Sequence, residues 1–304
     1  MAAELIELSN TLAETTEQVA KSVVAVHTEA RGSSSGVVWQ SGLIVTAEHA
    51  LRRDEEIQVT LADGRVVPAL LVGRDPRTDL AVLKCAEAGA PLGDAGKEQT
   101  VKPGSLALVV GRTRASGPVA GLGVVSLVAP ERRTWTGGSL SPYIRLDLAL
   151  EPTAVGGVAV AADGNPIGLA SPRFARFGAT AVPAATVSAV LATLLAKGRV
   201  PVGYLGVGLQ PVRLPEALRQ ALERTERNAT IVLDVEPNGP AHNAGILIGD
   251  ILVSLAGRAV TRLEDIQAQL QGQTIGKSVP AKLVRGGALQ ETTIVVGERP
   301  HGGD

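Results

Sequence analysis

The chain has 304 residues, enough for two domains and for cores of appreciable size. Its 29 Lys+Arg against 30 Asp+Glu leave a net charge of −1, which argues against nucleic acid or an anionic membrane as the main partner. A single cysteine, Cys85, excludes an intrachain disulfide, and aromatic content of 2% leaves Val, Leu, Ile and Ala to build the cores.

Residues 4–20 read as an amphipathic helix, with Leu5, Leu8, Leu12 and Val19 on one face. From Ser22 the period changes to that of strands, at Val23–Thr28, Gly36–Gln40, Leu43–Thr46, Ile57–Leu61, Val66–Val72 and Leu80–Lys84. Six short strands in so little chain point to a small antiparallel barrel. Residues 86–100 are a Gly/Ala/Pro-rich connection, and a second series follows at Leu106–Gly111, Val119–Val128, Tyr143–Leu150, Val158–Ala161, Pro166–Ser171 and Thr180–Val182. Between them Glu131–Pro142 reads as a long loop carrying Trp135. A helix from Ala184 to Lys197 stops at Gly198. Beyond Arg199 come a strand (Tyr204–Leu209), a polar helical insert (Pro215–Arg224), a strand (Thr230–Val235) and an Asn-Gly-Pro-Ala turn. A strand (Asp250–Leu255), a helix (Leu263–Leu270) and two strands joined at Gly286-Gly287 complete it. The fold class is therefore mainly β, with tandem antiparallel barrels followed by a smaller α+β domain. The expected divisions are an N-terminal helix over 1–21, a double barrel over 22–198, a second domain over 199–298 and a disordered tail over 299–304.

Four stretches then resemble the HtrA (Deg) family of trypsin-like serine proteases with one C-terminal PDZ domain. They are Ser41-Gly42-Leu43-Ile44-Val45-Thr46-Ala47-Glu48-His49-Ala50-Leu51, Asp75-Pro76-Arg77-Thr78-Asp79-Leu80-Ala81-Val82-Leu83-Lys84, Gly203-Tyr204-Leu205-Gly206-Val207, and the run Pro240-Ala241, Ala244-Gly245-Ile246, Gly249-Asp250-Ile251-Leu252. The resemblance implies that His49 is the general base and Asp79 its orienting partner. The plainer readings are a satisfied barrel histidine and a turn aspartate. It also implies PDZ capture of a peptide carboxylate at Tyr204, Leu205 and Gly206. Val207 continues the strand beside the ligand, and Ile266 and Leu270 line the apolar pocket; for Leu270 a plain core role is equally open.

The departure from the family pattern falls at Thr153-Ala154-Val155-Gly156-Gly157-Val158-Ala159, where relatives carry Gly-Asn-Ser-Gly-Gly-Pro-Leu. Val155 has neither a proton to give nor a lone pair with which to attack, so it cannot serve as nucleophile. Thr153 stands where glycine would tolerate the dihedrals of an oxyanion hole. The expectation is a proteolytically inactive homologue, binding peptides or unfolded-protein C-termini as a scaffold or as partner of an active protease paralogue, in the setting of protein quality control. The alternative is an active endopeptidase with its nucleophile elsewhere, Ser139, Ser141 and Ser171 being the loop serines to consider. A metal at His49 is a remote third reading, and no cofactor or metal is expected. By resemblance the N-terminal region is a candidate for homo-trimer contacts, or it simply covers the first barrel. No basic-then-apolar leader is visible and no run nears the roughly 18 apolar residues of a membrane span. The sequence as written is read as cytoplasmic, or as exported if a leader has been removed.

Overall fold

The computed structural model describes residues 2–28, 32–51, 56–93, 100–115, 117–270 and 274–299. The chain forms two compact units, 1–200 and 201–304.

In the first unit, helix α1 (Ala2–Ala20) leads into β1 (Val23–Thr28), β2 (Gly32–Gln40), β3 (Leu43–Ala47), β4 (Ile57–Thr60), β5 (Val66–Asp75) and β6 (Leu80–Lys84). These close into an antiparallel barrel of order β1-β2-β3-β6-β5-β4. The second series is β7 (Leu106–Thr113), β8 (Gly117–Ala129), the short ribbon β9 (Arg132–Arg133) and β10 (Ser139–Leu140), then β11 (Tyr143–Asp147), β12 (Val158–Ala161), β13 (Pro166–Ser171) and β14 (Ala179–Pro183). Without the ribbon its barrel runs β11-β14-β13-β12-β7-β8, the same circuit as the first. Period-2 alternation makes both barrels possible. Val24, Val26 and Val59 point into the first interior, and Val109, Ile144 and Ala159 into the second. The opposite faces meet between the barrels, where Val23, Val37, Trp39 and Val45 pack with Val110, Val158 and Leu169. Helix α2 (Ala184–Lys197) seals that layer with Val187, Leu191 and Leu194, and Gly198 ends it at φ 68°.

Helix α1 forms as its periodicity predicts, but only its C-terminal end is packed. Val19 and Ala20 are buried, while Leu5 and Ile6 remain 64% and 62% exposed. Its packed end contacts β7 and β8 of the second barrel as well as β1, so covering the first barrel does not describe it.

The second unit contains β15 (Gly203–Tyr204), β16 (Val207–Arg213), α3 (Glu216–Ala221), β17 (Asn228–Val235), α4 (Pro240–Asn243), β18 (Ile251–Leu255), β19 (Arg258–Ala259), α5 (Leu263–Gln267), β20 (Ser278–Arg285), β21 (Ala288–Val295) and β22 (Gly297–Glu298). Its main sheet runs β16-β17-β18-β20-β21, and β15 pairs separately with β22. The single strand expected over Tyr204–Leu209 is therefore two, broken where Gly206 takes φ 74°. The Asn-Gly-Pro-Ala turn opens a short helix, with Pro240 at a position that needs no N–H. Arg299 donates its N–H to Val202 O at 2.9 Å, and the rest of the expected tail lies outside the described residues.

Candidate active site

The equivalent barrel circuits put chemistry at equivalent places. A 3-10 turn, Glu48–Ala50, follows β3 in the first barrel, and another, Pro152–Ala154, follows β11 in the second. His49 lies on the first turn and Val155 directly after the second.

Asp79 ends the turn between β5 and β6, at φ 61° and 0% exposure. Asp75 builds that turn by accepting from Thr78 Oγ1 at 2.7 Å and from Arg77 Nε at 3.2 Å. The Asp79 carboxylate accepts from His49 Nδ1 at 2.8 Å to both oxygens, and from His49 N–H at 3.0 Å. Ser171 Oγ, from the end of β13, donates to Oδ2 at 2.5 Å. A buried carboxylate with donors from three directions fixes the imidazole's orientation and favours the tautomer with its proton on Nδ1. Nε2 is then the basic nitrogen. This arrangement suits a general base, and the His49 side chain is 26% exposed. Arg173 approaches the pair, with Nη1 3.4 Å from Glu48 Oε2 and 3.8 Å from Asp79 Oδ1.

The loop holding Val155 is tied down by backbone and by one serine. Ser35 is fully buried; its Oγ donates to Thr153 O at 2.5 Å and accepts from Arg112 N–H at 2.8 Å. Its own N–H donates to Val155 O at 2.8 Å, and its carbonyl accepts from Thr46 Oγ1 at 2.6 Å. Val155 N–H points back to Pro152 O at 3.3 Å and Gly157 N–H to Ala154 O at 2.9 Å. Thr153 sits inside the 3-10 turn and is not among the residues with positive φ. Gly156 is, at φ 79°, and a Cβ there would meet Ser35 O at 2.4 Å. Val155 itself is 9% exposed. Arg112 extends this tether: its guanidinium donates to Val23 O at 2.6 Å and to Ala20 O at 2.8 Å, capping the end of α1. Burial pushes its pKa down.

Of the loop serines, Ser171 spends its hydroxyl on Asp79, and Ser141 Oγ donates to Pro130 O at 2.9 Å. Ser139 lies on β10. Among the described residues no group of three or more His, Cys, Asp or Glu side chains could hold a metal ion. Sequence reasoning missed the roles of Ser35 and Ser171. The duplicated barrel offers a signal for the second, since Ser171 ends the strand equivalent to the one ending in Asp75.

In the second unit β16 is an edge strand, with α5 beside it. The carbonyls of Leu205 and Gly206 accept from Ala241 and Glu236 N–H at 2.8 and 2.9 Å. Among the described residues their own N–H groups have no acceptor. Tyr204 pairs with Gly297, and Val207 with Val235. Ile266 and Leu270 are 4% and 9% exposed and belong to the core with Leu205; Leu270 follows α5, which is shorter than expected.

Residues 34–169 match the trypsin-like peptidase domain family and residues 203–296 the PDZ domain family. Curated relatives include proteins named probable periplasmic serine endoprotease DegP-like. The one from Halomonas elongata is 30% identical over 281 residues, 90% of this chain and 58% of its own. The one from Pseudomonas putida strain GB-1 is 30% identical over 278 residues, 90% of this chain and 57% of its own. The chain thus spans less than two thirds of the length of these relatives. Similar solved structures include the HtrA-type protease AlgW with a decapeptide (TM-score 0.75, 26% identity, 95% of this chain and 99% of that one). A second is the serine endoprotease from Yersinia pestis (TM-score 0.73, 27% identity, 95% and 98%). The relatives are named periplasmic, which overturns the cytoplasmic location expected from the sequence.

Proposed function

Since the chain belongs to the HtrA/DegP family of trypsin-like peptidases with a C-terminal PDZ domain, we propose that it is an exported, proteolytically inactive member that binds polypeptide. The observation that carries this reading is the valine before Gly156-Gly157. His49 is oriented by Asp79 as a base would be, and Val155, at the position where the family pattern has its serine, offers no nucleophilic atom. The inward hydrogen bond of Val155 N–H supports the same reading, because an oxyanion needs that donor turned toward the substrate.

Binding is assigned to the PDZ unit. The edge of β16 takes an extended peptide as an added strand, and the N–H groups at Leu205 and Gly206 receive its terminal carboxylate. Leu205, Ile266 and Leu270 give the floor of the groove its apolar character. The protein then acts as a scaffold, as a partner of an active relative, or as a homo-trimer joined through its N-terminal region. The test is binding of peptides with apolar free C-termini. Affinity should be lost on C-terminal amidation, and unchanged affinity would contradict carboxylate capture. A second reading, an active endopeptidase, is favoured by the intact His49–Asp79 pair with its third donor, Ser171, and by the names of the relatives. It requires a nucleophile other than Val155.

A further inference from the structure

The chain has only six aromatic residues; three of them, Tyr143, Phe174 and Trp135, are in contact on the barrel unit, and a fourth, Phe177, follows Phe174 by three residues. Tyr143 is buried, and its hydroxyl donates to Phe174 O at 3.0 Å. The Phe174 ring meets Trp135 edge to face, with centroids 5.7 Å apart. Trp135 is nevertheless 67% exposed, and Phe177, three residues on from Phe174, is 77% exposed. A chain this poor in aromatics gains nothing for its own core by leaving these rings in water. Exposed aromatic side chains beside arginine are the composition of contact surfaces.

The two segments that carry Trp135 and the phenylalanines are basic in sequence, although the exposed Asp147 lies beside Gly178. Residues 131–138 and 172–178 carry Arg132, Arg133, Arg173 and Arg176 against Glu131 alone. Arg173 is engaged by Glu48. Arg132 lies over the Tyr143 ring at 4.8 Å, and Arg176 over the Phe177 ring at 5.7 Å. Among the described residues neither pairs with a carboxylate. A guanidinium stacked on a ring still presents its N–H edge, and that edge matches a carboxylate in two-point fashion. The platform is also held in shape, because Thr134 Oγ1 and Thr136 Oγ1 both donate to Arg77 O, at 2.9 and 3.2 Å.

We propose that this aromatic–arginine surface is a docking site for an acidic polypeptide segment in which Asp or Glu alternates with large apolar residues. The apolar side chains cover Trp135 and Phe177, and the carboxylates take Arg132 and Arg176. Single-stranded nucleic acid, which also likes arginine and aromatic rings, is disfavoured by the chain's net charge of −1 and by the shortness of the basic stretch. The site lies on the barrel unit and is independent of carboxylate capture by the PDZ unit.

The probe is a peptide of alternating Glu and Leu, acetylated and C-terminally amidated so that PDZ capture contributes nothing. Of the two tryptophans Trp39 is buried and Trp135 exposed, so the probe should shift the full-length protein's emission to the blue. Affinity should fall as salt is raised. It should weaken by about tenfold or more when Arg132→Glu and Arg176→Glu are combined, a loss reported by calorimetry. Both side chains are exposed, and the salt series on the unaltered protein tests the proposal even if that variant does not fold. Equal binding of the Lys-Leu counterpart, a salt-independent affinity, or tighter binding of oligothymidylate would each overturn the assignment.

Discussion

Gly156→Ala tests whether the Gly156-Gly157 pair persists for packing rather than for chemistry. At φ 79° an alanine sits in the left-handed region, which costs about 1–2 kcal/mol. The added Cβ would also approach Ser35 O at 2.4 Å, Ala47 N at 2.8 Å and Thr46 Oγ1 at 2.8 Å. The first two are backbone atoms of β2 and β3 and cannot rotate away, so relief requires moving strands of the first barrel. Overpacking of this kind adds about 1–3 kcal/mol. The substitution should therefore destabilise the barrel unit by about 2–5 kcal/mol. Both tryptophans, Trp39 and Trp135, lie in that unit, so urea unfolding followed by tryptophan emission reports on it without interference from residues 201–304. A loss below about 0.5 kcal/mol, the range of neutral surface changes, would refute the packing argument.

Three further outcomes are expected. Ser171→Ala removes the 2.5 Å donor to the buried Asp79 carboxylate and should cost the barrel unit about 1.5–3 kcal/mol in the same urea assay; no change would mean that Asp79 does not depend on it. In the PDZ unit, burial alone would push the Asp250 carboxyl up, but the Arg285 side chain and Leu247 N–H outweigh it and hold it below the ordinary range. A carboxyl depressed in the folded state stabilises above its unfolded pKa of about 3.9, and that contribution disappears as pH falls through the folded value. Protection of the PDZ unit's amides, taken relative to their intrinsic exchange rate at each pH, should therefore fall in acid, and Asp250→Asn should flatten that dependence; a parallel profile for the variant would contradict the pair's role. Finally, Val155→Ser alone should recover little proteolysis of an unfolded substrate, because the loop keeps its N–H turned toward Pro152; strong activity would show that the loop rearranges freely.

Much of this molecule is legible in sequence order. Alternating Val and Leu with punctuating Gly and Pro is enough to place both barrels, and Ala184–Lys197 with Gly198 is read as the helix it is. The His49 and Asp79 segments stand out because each is a local run of residues. Ser35 does not, and Ser171 stands out only as a loop serine and not as a donor to Asp79, because their importance lies in partners 118 and 92 residues away. The ribbon inside Glu131–Pro142 was hidden for a similar reason: Thr134 and Thr136 brace it against Arg77, far off in sequence. In the second unit, sequence periodicity ran the helix on to Leu270, whereas α5 stops at Gln267 and Leu270 turns into the core.

The most direct test of the account is labelling of the full-length protein with a fluorophosphonate, alongside incubation with unfolded casein. If Val155 leaves the chain without a nucleophile, the protein should incorporate no label and leave casein intact, with or without a PDZ-binding peptide. Labelling or cleavage that disappears in His49→Ala would show that His49 activates a nucleophile after all, and the reading as an inactive, polypeptide-binding relative would fall.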